Sequence, residues 1–159
     1  MGTTGAQLDA WCKKNKVVGY KGVFCSDTVP TPFRPKNACF IVNHSVCASG
    51  GSHWLACRVQ GSHCNWFDSY GLKPDNQLED EYMTKKGFPQ PKFVDWLSNM
   101  GVETLQYNDR DLQSVTTEVC GLYACYFAKH GMPFNNPAWG FLTSNVLEND
   151  KKIKKLVKV

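Results

Sequence analysis

GGSHWLACRVQGSHCNWFDSYG, residues 50–71, is the stretch on which the reading of this chain turns. Two segments, HWLACRV (53–59) and HCNWFD (63–68), are rich in aromatic and apolar residues and are parted by a Gly-containing turn, the pattern of a β-hairpin. A two-residue turn at Gln60-Gly61 sets His53 directly opposite Asp68. Directly opposed residues share a sheet face with Cβ atoms about 4.5–5.5 Å apart, so a carboxylate can reach an imidazole nitrogen. Such a carboxylate fixes the tautomer of the histidine and stabilises its charged form. The plainer alternative is a polar hairpin pair with no chemistry. A one-residue change in register would separate the two side chains onto opposite faces. His63 stands beside the tight turn, away from any carboxylate, and reads as solvent-facing; His44, at a strand end, reads as a loop or cap residue.

Outward from the hairpin, ACFIVN (38–43) is a short apolar run bounded by turn signals and suits a buried strand. Residues 6–14 read as a short helix, followed by a loop with Gly19, Gly22, Pro30, Pro32 and Pro35. Residues 76–86 and 92–100 read as helices separated by Pro89 and Pro91, the second carrying Phe93, Trp96, Leu97 and Met100. VETLQYN (102–108) reads as another strand. The strongest helical pattern is 118–130, closed by Gly131 and Pro133. Helices around a small mixed or antiparallel sheet make an α+β fold with a central buried helix. The length of 159 residues fits one domain, 1–159, with a basic C-terminal segment at 151–159.

The second decisive stretch is QSVTTEVCGLYACYFAKHG, residues 113–131. Cys120 enters at the first turn of the helix, where free backbone N–H groups and the positive dipole end favour a thiolate. Gly121 removes side-chain bulk where a substrate carbonyl would approach. Cys125, more than a turn further in, reads as core. His130 lies ten residues from Cys120, roughly 15 Å along a helix, too far to be its base. The base must come from elsewhere in the fold, and His53 is the candidate. Gln113 offers a side-chain amide which, with the Cys120 backbone N–H, can bind an oxyanion; one such donor is worth about 2.7–4 kcal/mol.

Composition is that of a globular domain: 42% hydrophobic, 20% charged and 13% aromatic. No apolar run approaches the eighteen or so residues of a membrane span. The N-terminus lacks the order of a secretory signal, and Ala6 breaks the myristoylation frame. The chain therefore reads as soluble and intracellular. Eight cysteines (12, 25, 39, 47, 57, 64, 120 and 125) invite a disulfide framework, but the chain is too large to need one, and several lie in apolar runs where a free thiol acts as a small hydrophobe. No Cys-x-x-Cys occurs, and the spacings make no zinc quartet, so no metal is expected. The net charge of +4 is concentrated at the end, where five lysines follow Glu148. Ile153, Leu156 and Val157 at helical spacing would dock that segment and leave a solvated lysine face. The sharper alternative is contact with nucleic acid through Lys151, Lys152, Lys154 and Lys155.

ACFIVN followed by GGSHWLACRV, NWFDSYG and LQSVTTEVCGLYACYF resembles the adenovirus-type cysteine proteases, the adenains, within the wider clan that includes the SUMO-specific proteases. The order His, acid, Gln, Cys reverses that of papain, and the resemblance runs over roughly residues 5–131. It implies a papain-like site with His53 as general base, Asp68 orienting it, Cys120 as nucleophile and Gln113 as oxyanion donor. Trp54, beside the catalytic pair, with Gly51 and Gly121, would meet the substrate. It further implies cleavage of precursor proteins next to glycine, at Gly-Gly or Gly-X, in virion maturation. The expected setting is the host nucleus or the virion, and the expected state a monomer. No cofactor is needed for the chemistry; stimulation by DNA, by an activating peptide, or by both is implied. The acid is Asp where adenovirus enzymes often carry Glu, and no cysteine stands near Val102, where a disulfide to an activating peptide would fall. Two rival functions follow from the same residues: an isopeptidase acting on ubiquitin-like modifiers, and a non-catalytic peptide- or nucleic-acid-binding module on a degenerate protease fold.

Overall fold

The computed structural model describes residues 2–159, apart from the side chains of Gln77, Asp80 and Tyr82. Its centre is a five-stranded sheet in the order β1 (Tyr20–Phe24), β2 (Ala38–Asn43), β3 (Trp54–Gln60), β4 (His63–Phe67) and β5 (Thr104–Tyr107). The three inner strands pair antiparallel, and each outer strand pairs parallel to its neighbour. Every residue of β2 is buried. That explains its unbroken apolar run, since a strand covered on both faces has no polar side to alternate with.

Helices cover both faces. On one, α1 (Gly5–Lys14), α4 (Cys120–His130) and α5 (Val146–Leu156) pack on Cys39, Ile41, Ala56 and Phe67. On the other, α3 (Phe93–Asn99) lays Phe93, Trp96 and Leu97 against Phe40, Val42, Leu55 and Trp66. α2 (Gln77–Lys85) begins at Asn76, whose side chain accepts the Glu79 backbone N–H at 2.9 Å. α1 is started by a reciprocal pairing of Thr4 and Gln7. The fold is α+β, with the buried α4 against the sheet.

Three expectations change. Tyr20–Phe24 is a strand, not part of a Gly- and Pro-rich loop; its ladder with β2 is irregular between Tyr20 and Gly22, so no clean alternation announced it. The hairpin turns at Gly61-Ser62, because Gln60 pairs with His63. The register is therefore displaced by two residues from the expected one. An even shift keeps every side chain on its face. Finally, Leu156 does not dock the C-terminal helix: Ile153 and Val157 are buried, but Leu156 is 48% exposed.

One disulfide is present, joining Cys25 to Cys47 with the Cα atoms 5.2 Å apart. It fastens the chain leaving β1 to the turn Cys47–Ser49. The other six cysteines are free; five are buried, and Cys120 is half-buried. Among the described residues no helix is long and apolar enough to cross a membrane.

Candidate active site

Continued three steps past its last pair, Ala56 with Phe67, the β3–β4 ladder places His53 opposite Tyr70, with Asp68 on the diagonal. Diagonal neighbours on one face lie within reach of an extended side chain. Both contacts form. The His53 and Tyr70 rings stack with centroids 4.7 Å apart. His53 Nε2 lies 2.8 Å from Asp68 Oδ1. With Nε2 committed to the carboxylate, Nδ1 is the nitrogen left to face Cys120, whose side chain helps raise the imidazole pKa. Burial alone would push the imidazole pKa down. The Asp68 charge and hydrogen bond, joined by Cys120, overcome it and hold His53 well above its ordinary value.

Asp68 is fixed from behind. Its backbone N–H donates to Asn108 Oδ1 at 3.0 Å, while Asn108 Nδ2 donates to the Asp68 carbonyl at 2.6 Å. Its Oδ1 also accepts the Tyr70 N–H at 2.8 Å. The next turn is tight: Gly71, at φ +75°, packs where a Cβ would fall 2.6 Å from the Arg110 carbonyl carbon. This close approach brings the 110–113 segment alongside Asp68 and Ser69.

Cys120 opens α4, and Val119 before it gives the helix end no side-chain cap. The Cys120 and Gly121 N–H groups of the first turn are thus not taken up by a side-chain cap, while the Leu122 N–H donates to the Val119 carbonyl at 3.0 Å. The Trp54 backbone N–H points at Cys120 Sγ from 3.4 Å. Gln113 is buried; Ser69 Oγ donates to its Oε1 at 2.5 Å, and its Nε2 donates to the Thr117 carbonyl at 3.0 Å. Ser69 thereby sets which way the amide faces, and Nε2 also lies 3.5 Å from Thr117 Oγ1. The loop between Gln113 and Cys120 is tied to the last helix by Asp150. Its carboxylate accepts from the Ser114 N–H at 3.1 Å, Thr117 Oγ1 at 2.7 Å and Tyr123 Oη at 2.8 Å.

His53, Trp54, Tyr70, Gln113 and Cys120 line one cleft of ≈ 1580 Å³. Gly50 and Gly51 form part of its wall, and Gly51 at φ +92° abuts Asn43. The segment Gly2–Gly5 forms another part, pinned by a 2.9 Å bond from Trp54 Nε1 to the Thr3 carbonyl. Gly121 is placed differently from the expectation. It is buried away from the cleft, and a Cβ there would meet Leu8 at 3.0 Å and Trp54 at 3.1 Å. Its smallness serves helix packing, not substrate access.

Other titratable groups sort clearly. His63 bonds Thr104 and Asn65 at the β4–β5 edge, outside the cleft. His44 is not a surface loop residue: it is buried behind His53, edge-on to Phe93, and burial followed by the His53 charge pushes it down to about 4. Glu79 of α2 is a residue to which no motif or spacing points. Its Oε1 lies 3.6 Å from His53 Nε2 and its Oε2 3.4 Å from His44 Nε2. The basic segment is the end of α5, where Lys151 pairs with Glu148 at 3.2 Å and Lys152 donates to the Phe141 carbonyl at 3.2 Å.

Two groups of described residues bring three metal-binding atom types within 4.8 Å: Cys25, Asp27 and Cys47, and His53, Asp68 and Glu79. The sulfurs of the first are spent in the disulfide. The second is the histidine with its two carboxyls, a set suited to holding protons, and it lacks the fourth ligand of a closed zinc site.

The architecture has known counterparts. A SUMO protease, Ulp1, whose catalytic cysteine is oxidised to a sulfinic acid, aligns over 96% of this chain and 74% of its own with a TM-score of 0.51 at 14% identity. The fold is accordingly of the Ulp1-like cysteine protease type. A protease of Bovine adenovirus C serotype 10 is 29% identical over 125 residues, which cover 72% of this chain and 63% of that relative. This chain therefore spans less than two thirds of the relative's length. It matches the adenovirus endoprotease family over residues 22–147 and belongs to that family.

Proposed function

We propose that this protein is a cysteine endopeptidase that cleaves precursor proteins beside glycine in an infected cell or a virion. The observation that carries the reading is His53 held between Asp68 and Cys120 in an open cleft. In this scheme the Cys120 sulfur attacks the scissile carbonyl while His53 holds the proton at Nδ1. The oxyanion forms against the Cys120 backbone N–H and the Gln113 side-chain amide. His53 passes its proton to the departing amine, leaving a thioester on Cys120. Neutral His53 then takes a proton from water, whose oxygen attacks the thioester and frees the acid. No cofactor enters these steps.

The preference for glycine follows from the cleft wall. Trp54 and the Thr3–Gly5 segment, tied to one another, stand beside Sγ, with Gly51 beside His53. A substrate without side chains at the scissile pair meets least obstruction there. Lys154 and Lys155, exposed on α5, form with the partly engaged Lys151 and Lys152 the surface on which DNA would act.

The test is mass-spectrometric cleavage of short peptides bearing Gly-Gly-Xaa, Gly-Xaa and Ala-Ala-Xaa, against a ubiquitin-like precursor, each with and without duplex DNA. Cleavage of the glycine peptides alone is the expected result, with a rate gain from DNA that added salt removes. Cleavage of the precursor but of no short peptide would move the reading to the isopeptidase. No cleavage of any substrate, with specific peptide binding retained, would leave the binding module.

A further inference from the structure

Two buried carboxyl oxygens beside the base, Asp68 Oδ2 and Glu79 Oε1, have no hydrogen-bond partner among the described residues. Asp68 is 0% exposed, and its Oδ1 already accepts His53 Nε2 and the Tyr70 N–H. Glu79 Oε2 accepts Asn76 Nδ2 at 2.5 Å. Atoms of His53, Asp68 and Glu79 lie within 4.8 Å of one another. Two carboxylates so close in a pocket screened from water repel strongly, and each orphan oxygen forfeits the hydrogen bonds it had in water. One proton placed between them removes one charge and gives both oxygens a partner.

Resting on the reading of His53 as the base for Cys120, we propose that Glu79 is a positioning residue whose carboxylic acid proton is shared with Asp68 Oδ2. The pair then shows His53 a single negative charge and locks the Asp68 carboxylate in the rotamer that meets Nε2. The titratable groups around the pair are His44 from the end of β2, His53, Tyr70, Asp111 and Cys120; of these His53 brings positive charge. Glu79's own surroundings agree: burial, then the Asp68 charge, pushes its carboxyl up to about 7, against the pull of His53 and Asn76. Because that value lies above the ordinary 4.5, the stability contributed by the shared proton is complete below about pH 4.5 and fades as pH rises through about 7.

Infrared difference spectra across a pH titration read the protonated-carboxyl stretch without reference to activity. Wild type should show the band below neutrality and lose it with a midpoint near 7; Glu79→Gln should lack it. The rate of Cys120 alkylation against pH is the second readout. Wild type should show an inflection near that midpoint. Glu79→Gln, which keeps a donor toward Asp68 but cannot ionise, should lose the inflection. Glu79→Ala, with no donor, should react about tenfold more slowly at mildly acid pH. A purely structural role would slow the Gln and Ala variants alike and leave the profile's shape unchanged. Absence of the band in wild type, or an inflection that survives in Glu79→Gln, overturns the proposal. A wild type that shows the band but cleaves no peptide leaves the shared proton standing and overturns the protease reading instead.

Discussion

Cys120→Ala should abolish cleavage of a Gly-Gly peptide, with a rate loss on the order of 10⁶-fold, while the folded protein persists. The size follows from the unit behaviour of nucleophile and base: removing either member of such a pair costs about as much as removing the whole set. The fold should tolerate the change because Cys120 is only half-buried and the backbone contact to its sulfur, from the Trp54 N–H at 3.4 Å, is long. Peptide turnover followed by mass spectrometry, with a thermal melt beside it, separates the outcomes. Residual turnover above about a hundredth of wild type would show that another group attacks the carbonyl. Cys125 could not be that group without unfolding, since it is fully buried one turn inside α4.

His53→Ala should be nearly as damaging to turnover, and its signature is a pH profile. In the wild type, Asp68 and Cys120 hold the imidazole well above its ordinary value, so His53 keeps its proton through neutral pH beside the sulfur. Iodoacetamide should then label Cys120 readily even at mildly acid pH. Without the imidazole, labelling should follow an ordinary thiol and become fast only near or above about pH 8.5. Mapping the labelled cysteine decides the matter, because the other five free thiols are buried. Equal labelling of wild type and variant at mildly acid pH would rule out the pair. The sign for stability runs the same way: with its folded-state value raised, His53 contributes below its ordinary 6.5 and the contribution is lost as pH climbs through the raised value.

Much of this site was legible in the residues themselves. His53, Gln113 and Cys120 line one cleft with Asp68 buried behind His53, and the hairpin and α4 that place them are readable from local pattern alone. Asp68 met His53 although the turn was placed one residue early, since the true register differs by two and preserves the face. The strand β1 was illegible for a physical reason. Its partner lies across a long connection, and Gly22 with the irregular step at Tyr20 erases alternation. Glu79 was illegible too. On paper it is one acid among Glu79, Asp80 and Glu81 at the start of a polar helix, and only docking of α2 beside His44 and His53 buries it. Ser69, Asn108 and Asp150 act by holding other residues, and no spacing rule connects a serine at 69 with a glutamine at 113. Gly121 misled in the opposite direction, because a glycine beside a nucleophile suits both access and packing, and here Leu8 and Trp54 occupy the space.

The grip of Asp150 on the loop before Cys120 also sets a clock. A chain emerging from the ribosome presents His53 and Asp68 early and Cys120 late, but the loop from Ser114 to Thr117 gains its Asp150 anchor only when residue 150 is free of the exit tunnel. The arrangement around Cys120 is thus completed only after residue 150 has emerged. Ribosome-bound chains stalled just before and just after α5 emerges should differ sharply in Cys120 alkylation at mildly acid pH; equal labelling would mean the loop organises itself without the last helix.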